Sequence, residues 1–360
     1  MNKRYLFLDM LRAIAVAEMI HGHSLDGLLD IALRDTPFFT SWIHVRGYTA
    51  PIFLFAAGFV LAVATLPRMG EYSHLSNTLR RRLQRLFFVI LLGYSMYLPY
   101  FSLRKTILSI GSPAWHSFLQ VDILRCIGVS GLIVQVWLLL KPRQKVTWLF
   151  IGLLTVVLPI LTPAVRNSSL VSGLPDFVRY YFMDSRFPLF DYSSYPLLGF
   201  LIGYLFVKQR CVWPMYSLLA ALLFIVVAQL LNRAGVIPTL QSFMTKGGVI
   251  ILLTVFLERF ERLWEKLPSP VEYFGRESIV VYVLHVVVIY GSVLNKGLNV
   301  YWGATLSYRE LYCFVVWLLA AMVLLAYVWH RLKHEHISVA RWVKKTIYWS
   351  FLIVFLLKPY

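Results

Sequence analysis

The feature that most constrains this chain is a succession of apolar runs that begins near residue 48 and continues almost to residue 357. The runs fall at 48–66, 86–103, 122–140, 147–165, 193–207, 213–231, 247–258, 277–293 and 310–330, with a shorter stretch at 346–357. About 20 apolar residues cross a bilayer as a helix, because a helix satisfies every backbone N–H and C=O within its own segment. The expected fold is therefore all-α: a polytopic integral membrane helical bundle with about 10–11 transmembrane helices once the charged first run is counted. The stretch 346–357 either crosses with a tilt or lies in the interface. Composition agrees, with 59% hydrophobic and 14% charged residues against about 45–50% and about 25% in soluble domains. Soluble enzyme classes are excluded. A chain of 360 residues has no room for a large extramembrane domain beside these runs, and a single domain over residues 1–360 is the simplest organisation.

Basic residues exceed acidic ones by 18, a surplus that in a soluble protein would suggest nucleic acid. Here the Lys and Arg residues are dispersed between apolar runs, so no nucleic-acid partner is expected. With the N-terminus in the cytoplasm, 21 of them fall on cytoplasmic connections and 11 on opposite ones, the bias that retains a loop inside. The basic start Asn2-Lys3-Arg4 followed by an apolar run resembles a secretory leader. Asp9, Arg12 and Glu18 interrupt that run, and it reads as a retained first helix. Cys126, Cys211 and Cys313 are widely separated, which suggests neither a disulfide framework nor a metal site. His334-Glu335-His336 lacks the spacing that places two His on one helix face, so no metal is expected.

The first helix carries the chemistry. A charge at the bilayer centre costs on the order of 2.5–3.5 kcal/mol, so Asp9, Arg12 and Glu18 belong in a protein interior or a wet cavity. At about 100° per residue, Arg12 and His23 share one stripe with Asp9 and Met19, about 16 Å of helix rise apart. Asp26 joins the stripe if the helix continues beyond Gly22, whereas His21 points the other way beside Glu18. A His followed three residues on by an Asp suits a general base with its orienting carboxylate. The same residues would also serve as interfacial groups, with Arg12 reaching toward headgroups.

Leu8-Asp9-x-x-Arg12, followed by ten residues and His23, resembles the opening helix of membrane-bound acyltransferase family 3. Ala50-Pro51-Ile52-Phe53-Leu54-Phe55-Ala56-Ala57-Gly58-Phe59 and Ile123-Leu124-Arg125-Cys126-Ile127-Gly128 resemble the heparan-alpha-glucosaminide N-acetyltransferase group, also called the DUF1624 group. Gly275-Arg276-Glu277-Ser278, with Tyr282 and His285, resembles a late-helix pattern common to both. The resemblance implies a membrane acyltransferase that moves an acyl group, acetyl first, from cytoplasmic acyl-CoA to a hydroxyl or amine of a sugar or glycan at the outer face. It implies a bacterial cytoplasmic (inner) membrane as the location. His44 is the nearest counterpart of the catalytic histidine that the glucosaminide group carries after its first span.

On this reading His23 is the first candidate base, with Asp26 beside it and His21 and His44 as alternates. Arg80, Arg81, Arg82 and Arg85 would attend the phosphates of CoA with Arg12, because a guanidinium can donate two bonds at once to an anion. The same four residues also fit a topology signal facing lipid phosphates. Arg125 is a further candidate, three residues from Asp122, with an ordinary ion pair as the alternative. The connection 166–192, rich in aromatic and charged residues, suits acceptor recognition or an interfacial belt. His285 reads as a structural, hydrogen-bonded histidine in mid-span. The alternative from another class is a proton-coupled secondary transporter of a small solute, with Asp9, Arg12, Glu18 and His23 along its pathway.

Overall fold

The computed structural model describes residues 5–72, 74–140, 143–267 and 269–359. The basic start Asn2-Lys3-Arg4 and the loop residue Lys141 lie outside them. In chain order the principal helices are α1 (Leu6–Leu28), α2 (Pro37–Arg46), α3 (Thr49–Thr65), α4 (Asn77–Met96), α5 (Ile123–Leu139), α6 (Gln144–Arg166) and α7 (Ser194–Lys208). They continue with α8 (Trp213–Ala234), α9 (Pro238–Arg259), α10 (Ser269–Arg276), α11 (Ser278–Tyr290), α12 (Tyr308–Glu335) and α13 (Ile337–Leu357). Short helical turns join them, and among the described residues there is no β-strand, only two isolated bridges.

The chain is all-helical, as its apolar runs require. Among the described residues, five helical stretches are long and apolar enough to cross a bilayer, or up to seven if each of two bent pairs counts as one, fewer than the apolar runs. The difference has physical causes. Helix α1 carries Asp9, Arg12, Glu18 and Asp26, α4 opens on four arginines, and α13 holds Arg341, Lys344 and Lys345 in its first half. Helix α7 has 15 residues, short of the bilayer core when straight. The run at 277–293 forms α11, whose 13 residues are short of the bilayer core when straight, and α10 meets it at an angle of 85° around Glu277.

The helices fall into two compact units. One comprises the described residues up to Phe53, Leu98–Ser112 and the residues from Leu257 onward. Its centre is α1, against which α10, α11 and α12 pack. Phe7, Leu11, Ala15, Val16, Ile20, Leu25 and Leu28 of α1 are wholly enclosed. Side chains from elsewhere satisfy the orphan polar groups at its two ends. The Phe7 N–H donates to Glu261 Oε1 at 3.3 Å, and Arg34 Nη2 donates to the carbonyls of Asp26 (3.1 Å) and Leu29 (2.9 Å). Gly275 of α10 sits so close to α1 that a Cβ there would lie 1.9 Å from the carbonyl oxygen of Asp9.

The second unit comprises Leu54–Tyr97 and Pro113–Phe256. Helix α5 packs along α4, and α7 along α6. Ala62, Leu66, Val134, Leu138, Ile151, Leu197 and Phe200 form a core among α3, α5, α6 and α7. Helices α3 and α7 cross with their backbones in contact. A Cβ on Gly58 would stand 1.8 Å from the Pro196 carbonyl oxygen, and one on Gly199 would stand 2.0 Å from that of Phe55. Backbone cannot yield as a side-chain tip can. We therefore expect Gly199→Ala to lower stability by about 1–3 kcal/mol through overpacking, read as a drop in thermal unfolding midpoint. Gly152→Ala, where a Cβ meets nothing within 4 Å, should leave the midpoint unchanged or raise it.

Candidate functional site

Two imidazoles meet between α1 and α11. His23 and His285 have ring centroids 5.3 Å apart, their planes inclined by 56°. Tyr290 stands edge-on to His23 at 5.6 Å and donates its hydroxyl to the His23 carbonyl at 3.2 Å. Tyr282 stands edge-on to His285 at 5.7 Å and stacks on Phe53 of α3 at 6.4 Å. His285 is fully buried, while His23 is only half-buried and gives the pair its open side.

The protonation of His285 follows from its partner. Its Nδ1 lies 2.9 Å from the carbonyl oxygen of Val281, one turn back on the same helix. A carbonyl only accepts, so Nδ1 carries the hydrogen and Nε2 of the neutral ring carries the lone pair. That Nε2 is buried and has no hydrogen-bond partner among the described residues. The backbone bond therefore holds one tautomer of the buried ring, with the lone pair of Nε2 inside the protein.

The neighbouring candidates are drawn into other partnerships. Asp26 does not orient His23: its carboxylate is forked by Arg46, with Nη1 to Oδ1 at 2.6 Å and Nη2 to Oδ2. This corrects the His23–Asp26 dyad expected from spacing. The cause is α2, which lies across α1 at Gly22 and brings a cation to the acid. His21 is turned away from His23, as helical geometry requires. The Trp42 indole N–H donates to His21 Nδ1 at 3.1 Å, and the His21 ring lies between Trp42 (5.2 Å) and Tyr312 (5.5 Å). His44, two residues beyond buried Trp42, is exposed on the opposite face of α2. Arg12 lies at the other end of α1 from His23, half-buried, with Nη1 3.3 Å from Asp9 Oδ1.

The four arginines of α4 are not equivalent. Arg80, Arg81 and Arg85 are exposed. Arg82 is turned inward, bonded to the Thr65 hydroxyl and stacked 3.6 Å above the Tyr72 ring. Burial lowers its pKa to about 10, with Arg85 adding to that and Tyr72 opposing it, so it remains a cation at neutral pH. Arg125 is wholly enclosed. Nη1 donates to the Phe118 carbonyl at 2.8 Å, Nε lies 3.3 Å from Asp122, and the guanidinium faces the Tyr94 ring at 4.0 Å. In this arrangement it offers no face to a phosphate. It is the ordinary ion pair, buried, with Asp122 also capping α5 through the Arg125 N–H at 2.9 Å.

The polar side chains of the aromatic connection 166–192 are largely partnered, within it and with neighbouring segments. Tyr180 meets His116 Nδ1 at 2.6 Å, and Tyr181 meets the Tyr94 hydroxyl at 2.8 Å. Arg179 lies between Asp176 (2.9 Å) and Asp184 (2.8 Å), and Arg166 pairs with Asp191. Among the described residues no group of three or more His, Cys, Asp or Glu side chains is arranged to hold a metal ion.

His285 is the residue that sequence reasoning set aside. The sequence reads it as a structural histidine that hydrogen-bonds in mid-span. It does so here, and that bond is what leaves Nε2 open. The signal is the Tyr282-x-x-His285 spacing, which places both rings on one face of α11, beside Phe53 and His23.

The family model described as heparan-alpha-glucosaminide N-acetyltransferase, catalytic, matches residues 4–233. The match includes His23, Asp26, His44 and the α4 arginines, and ends before α10, α11 and α12. No curated protein matches the sequence. The α2 contacts lead to a direct expectation. Arg46→Ala should accelerate backbone hydrogen exchange over residues 37–46 by about 10-fold while leaving the middle of α1 protected. Arg46→Lys, which keeps the charge but not the fork, should fall between the two.

Proposed function

The chain belongs to the heparan-alpha-glucosaminide N-acetyltransferase catalytic family, and from that premise we propose a membrane acyltransferase that moves acetyl from acetyl-CoA to a sugar hydroxyl or amine. The observation that carries this reading is the buried His285 Nε2 beside the half-buried His23. In the reaction an imidazole of this pair takes the proton of the acceptor as its oxygen or nitrogen attacks the thioester carbonyl. The new C–O or C–N bond forms, the C–S bond breaks, and the imidazolium returns the proton to the departing CoA thiolate. His23, on the open side, meets the acceptor, and His285 supports it from within. His21, His44 and Asp26 are not assigned to the transfer, since each faces a different environment.

The exposed Arg80, Arg81 and Arg85 are proposed to meet the donor's phosphates, with Arg82 held inward beneath them and Arg12 left to Asp9. On this reading the N-terminus is cytoplasmic, the donor is taken from that side, and the acceptor lies at the outer face of a bacterial inner membrane, as the family resemblance implies. The 3′-phosphate gives the donor assignment a clean probe. Acetyl-CoA should raise the thermal midpoint of the purified protein, and dephospho-CoA should raise it less, because a ligand bound to the folded state stabilises by mass action. Equal and negligible shifts would favour the solute carrier instead.

The transfer itself is tested by substitution. His23→Ala and His285→Ala should each reduce acetyl transfer by about 100-fold or more, and the double variant should lose no more than the worse single one, as groups acting as a unit do. Full transfer by a folded, inserted His23→Ala protein would remove the assignment. Mass spectrometry of surface glycans from cells with and without the protein, read for one added acyl mass, identifies the acceptor.

A further inference from the structure

A second buried polar cluster lies outside the reading above, at the break between α10 and α11. Glu277 is the single residue between the two helices and is 6% exposed. Both of its oxygens are held from α12: His330 Nδ1 lies 3.0 Å from Oε1, and Lys333 Nζ lies 2.6 Å from each oxygen. Tyr273 of α10 stacks on the His330 ring at 4.0 Å, and His334 Nδ1 lies 2.8 Å from the His330 carbonyl oxygen. Sharp helix breaks usually trace to proline, a glycine pair or an inserted group. Here the backbone at Glu277 is unstrained, with φ −95° and ψ 24°, and no proline stands at the junction. The turn of 85° is instead fastened by one carboxylate to the neighbouring helix.

What hangs from that turn is α11, a helix of 13 residues that carries Tyr282, His285 and Tyr290. On the other side of the break Gly275 rests on the α1 backbone at Asp9. The direction of α11 relative to α1 is therefore set at the junction, and with it the approach of His285 to His23. We propose that Glu277 is a positioning residue for His285. Its carboxylate, clasped by His330 and Lys333, fixes the bend from which α11 brings the His285 ring beside His23. This rests on the reading of the two imidazoles as the reacting pair. The leverage is large because a displacement of about 1 Å at a reacting group can cost about 100-fold in rate.

The test uses the purified full chain and two readouts. One is steady-state acetyl transfer from acetyl-CoA. The other is carbethoxylation of His285 by diethyl pyrocarbonate, read by peptide mass spectrometry, which needs no turnover. Glu277→Gln keeps the shape and removes the charge. It should lower kcat by about 10- to 100-fold with the donor KM changed by less than about twofold, and should expose His285 to labelling. Because Glu277→Gln leaves a buried ammonium without its counter-charge, the double variant Glu277→Gln/Lys333→Met removes both charges and keeps the fold testable. It should remain slow, with His285 still labelled. Wild-type kcat and wild-type protection of His285 in the folded double variant would overturn the proposal. A wild-type protein without any acetyl transfer would instead count against the reaction, and the labelling comparison would still decide the positioning.

Discussion

The cost of placing charge in a bilayer organises the unit that holds the candidate site. Helix α1 carries Asp9, Arg12, Glu18 and Asp26 within 23 residues, and such a helix is stable at membrane depth only when protein surrounds it. Helices α10, α11 and α12 supply that enclosure. The acidic groups on α1 are met by neighbouring side chains, Asp9 by Arg12, Asp26 by Arg46, and Glu18 by His21 at 3.7 Å. The enclosure that makes the charges tolerable also brings a second imidazole to His23. Site and packing have one origin, since the helix most in need of burial carries the histidine and recruits the helix that carries the other.

The helical class was legible because it rests on a sum over many residues. Apolar runs of bilayer length report themselves whatever their neighbours do, and α3, α6, α8, α9 and α12 lie where the runs place them. The bends were not legible, because hydropathy counts residues and not their direction. Glu277 stands at the start of an apolar run, where the chain turns by 85°, and nothing local announces the turn: it is held by His330 and Lys333, more than 50 positions away in sequence. Helix α13 reads as a short apolar tail, yet it begins nine residues earlier, at Ile337, because basic residues can extend a helix that they would exclude from a hydropathy window.

The site divides along the same line. Periodicity alone separated His21 from His23, placing them on different sides of α1, and the structure keeps them apart: His21 beside Trp42, His23 beside His285. Periodicity also paired His23 with Asp26, and there it failed. The winning interaction is a two-bond fork from Arg46, which a carboxylate accepts in preference to a single bond from imidazole. Arg125 illustrates the converse. A short motif marked it as noteworthy, and it is fully enclosed among Asp122, Phe118, Gly93 and Tyr94, where its charge fixes α5 against α4. Motifs identified residues under constraint without saying whether the constraint was packing or chemistry.

The central claim is that the His23–His285 pair faces the thioester. A structure solved with a hydrolysis-resistant acetyl-CoA analogue addresses it without relying on any substitution. The account predicts the acyl carbonyl carbon about 5–6 Å from an imidazole nitrogen of the pair, the separation that leaves room for one acceptor atom bonded to the base and in line with the carbonyl. An acyl group seated more than about 10 Å from both rings, beyond the reach of direct proton transfer, would contradict it.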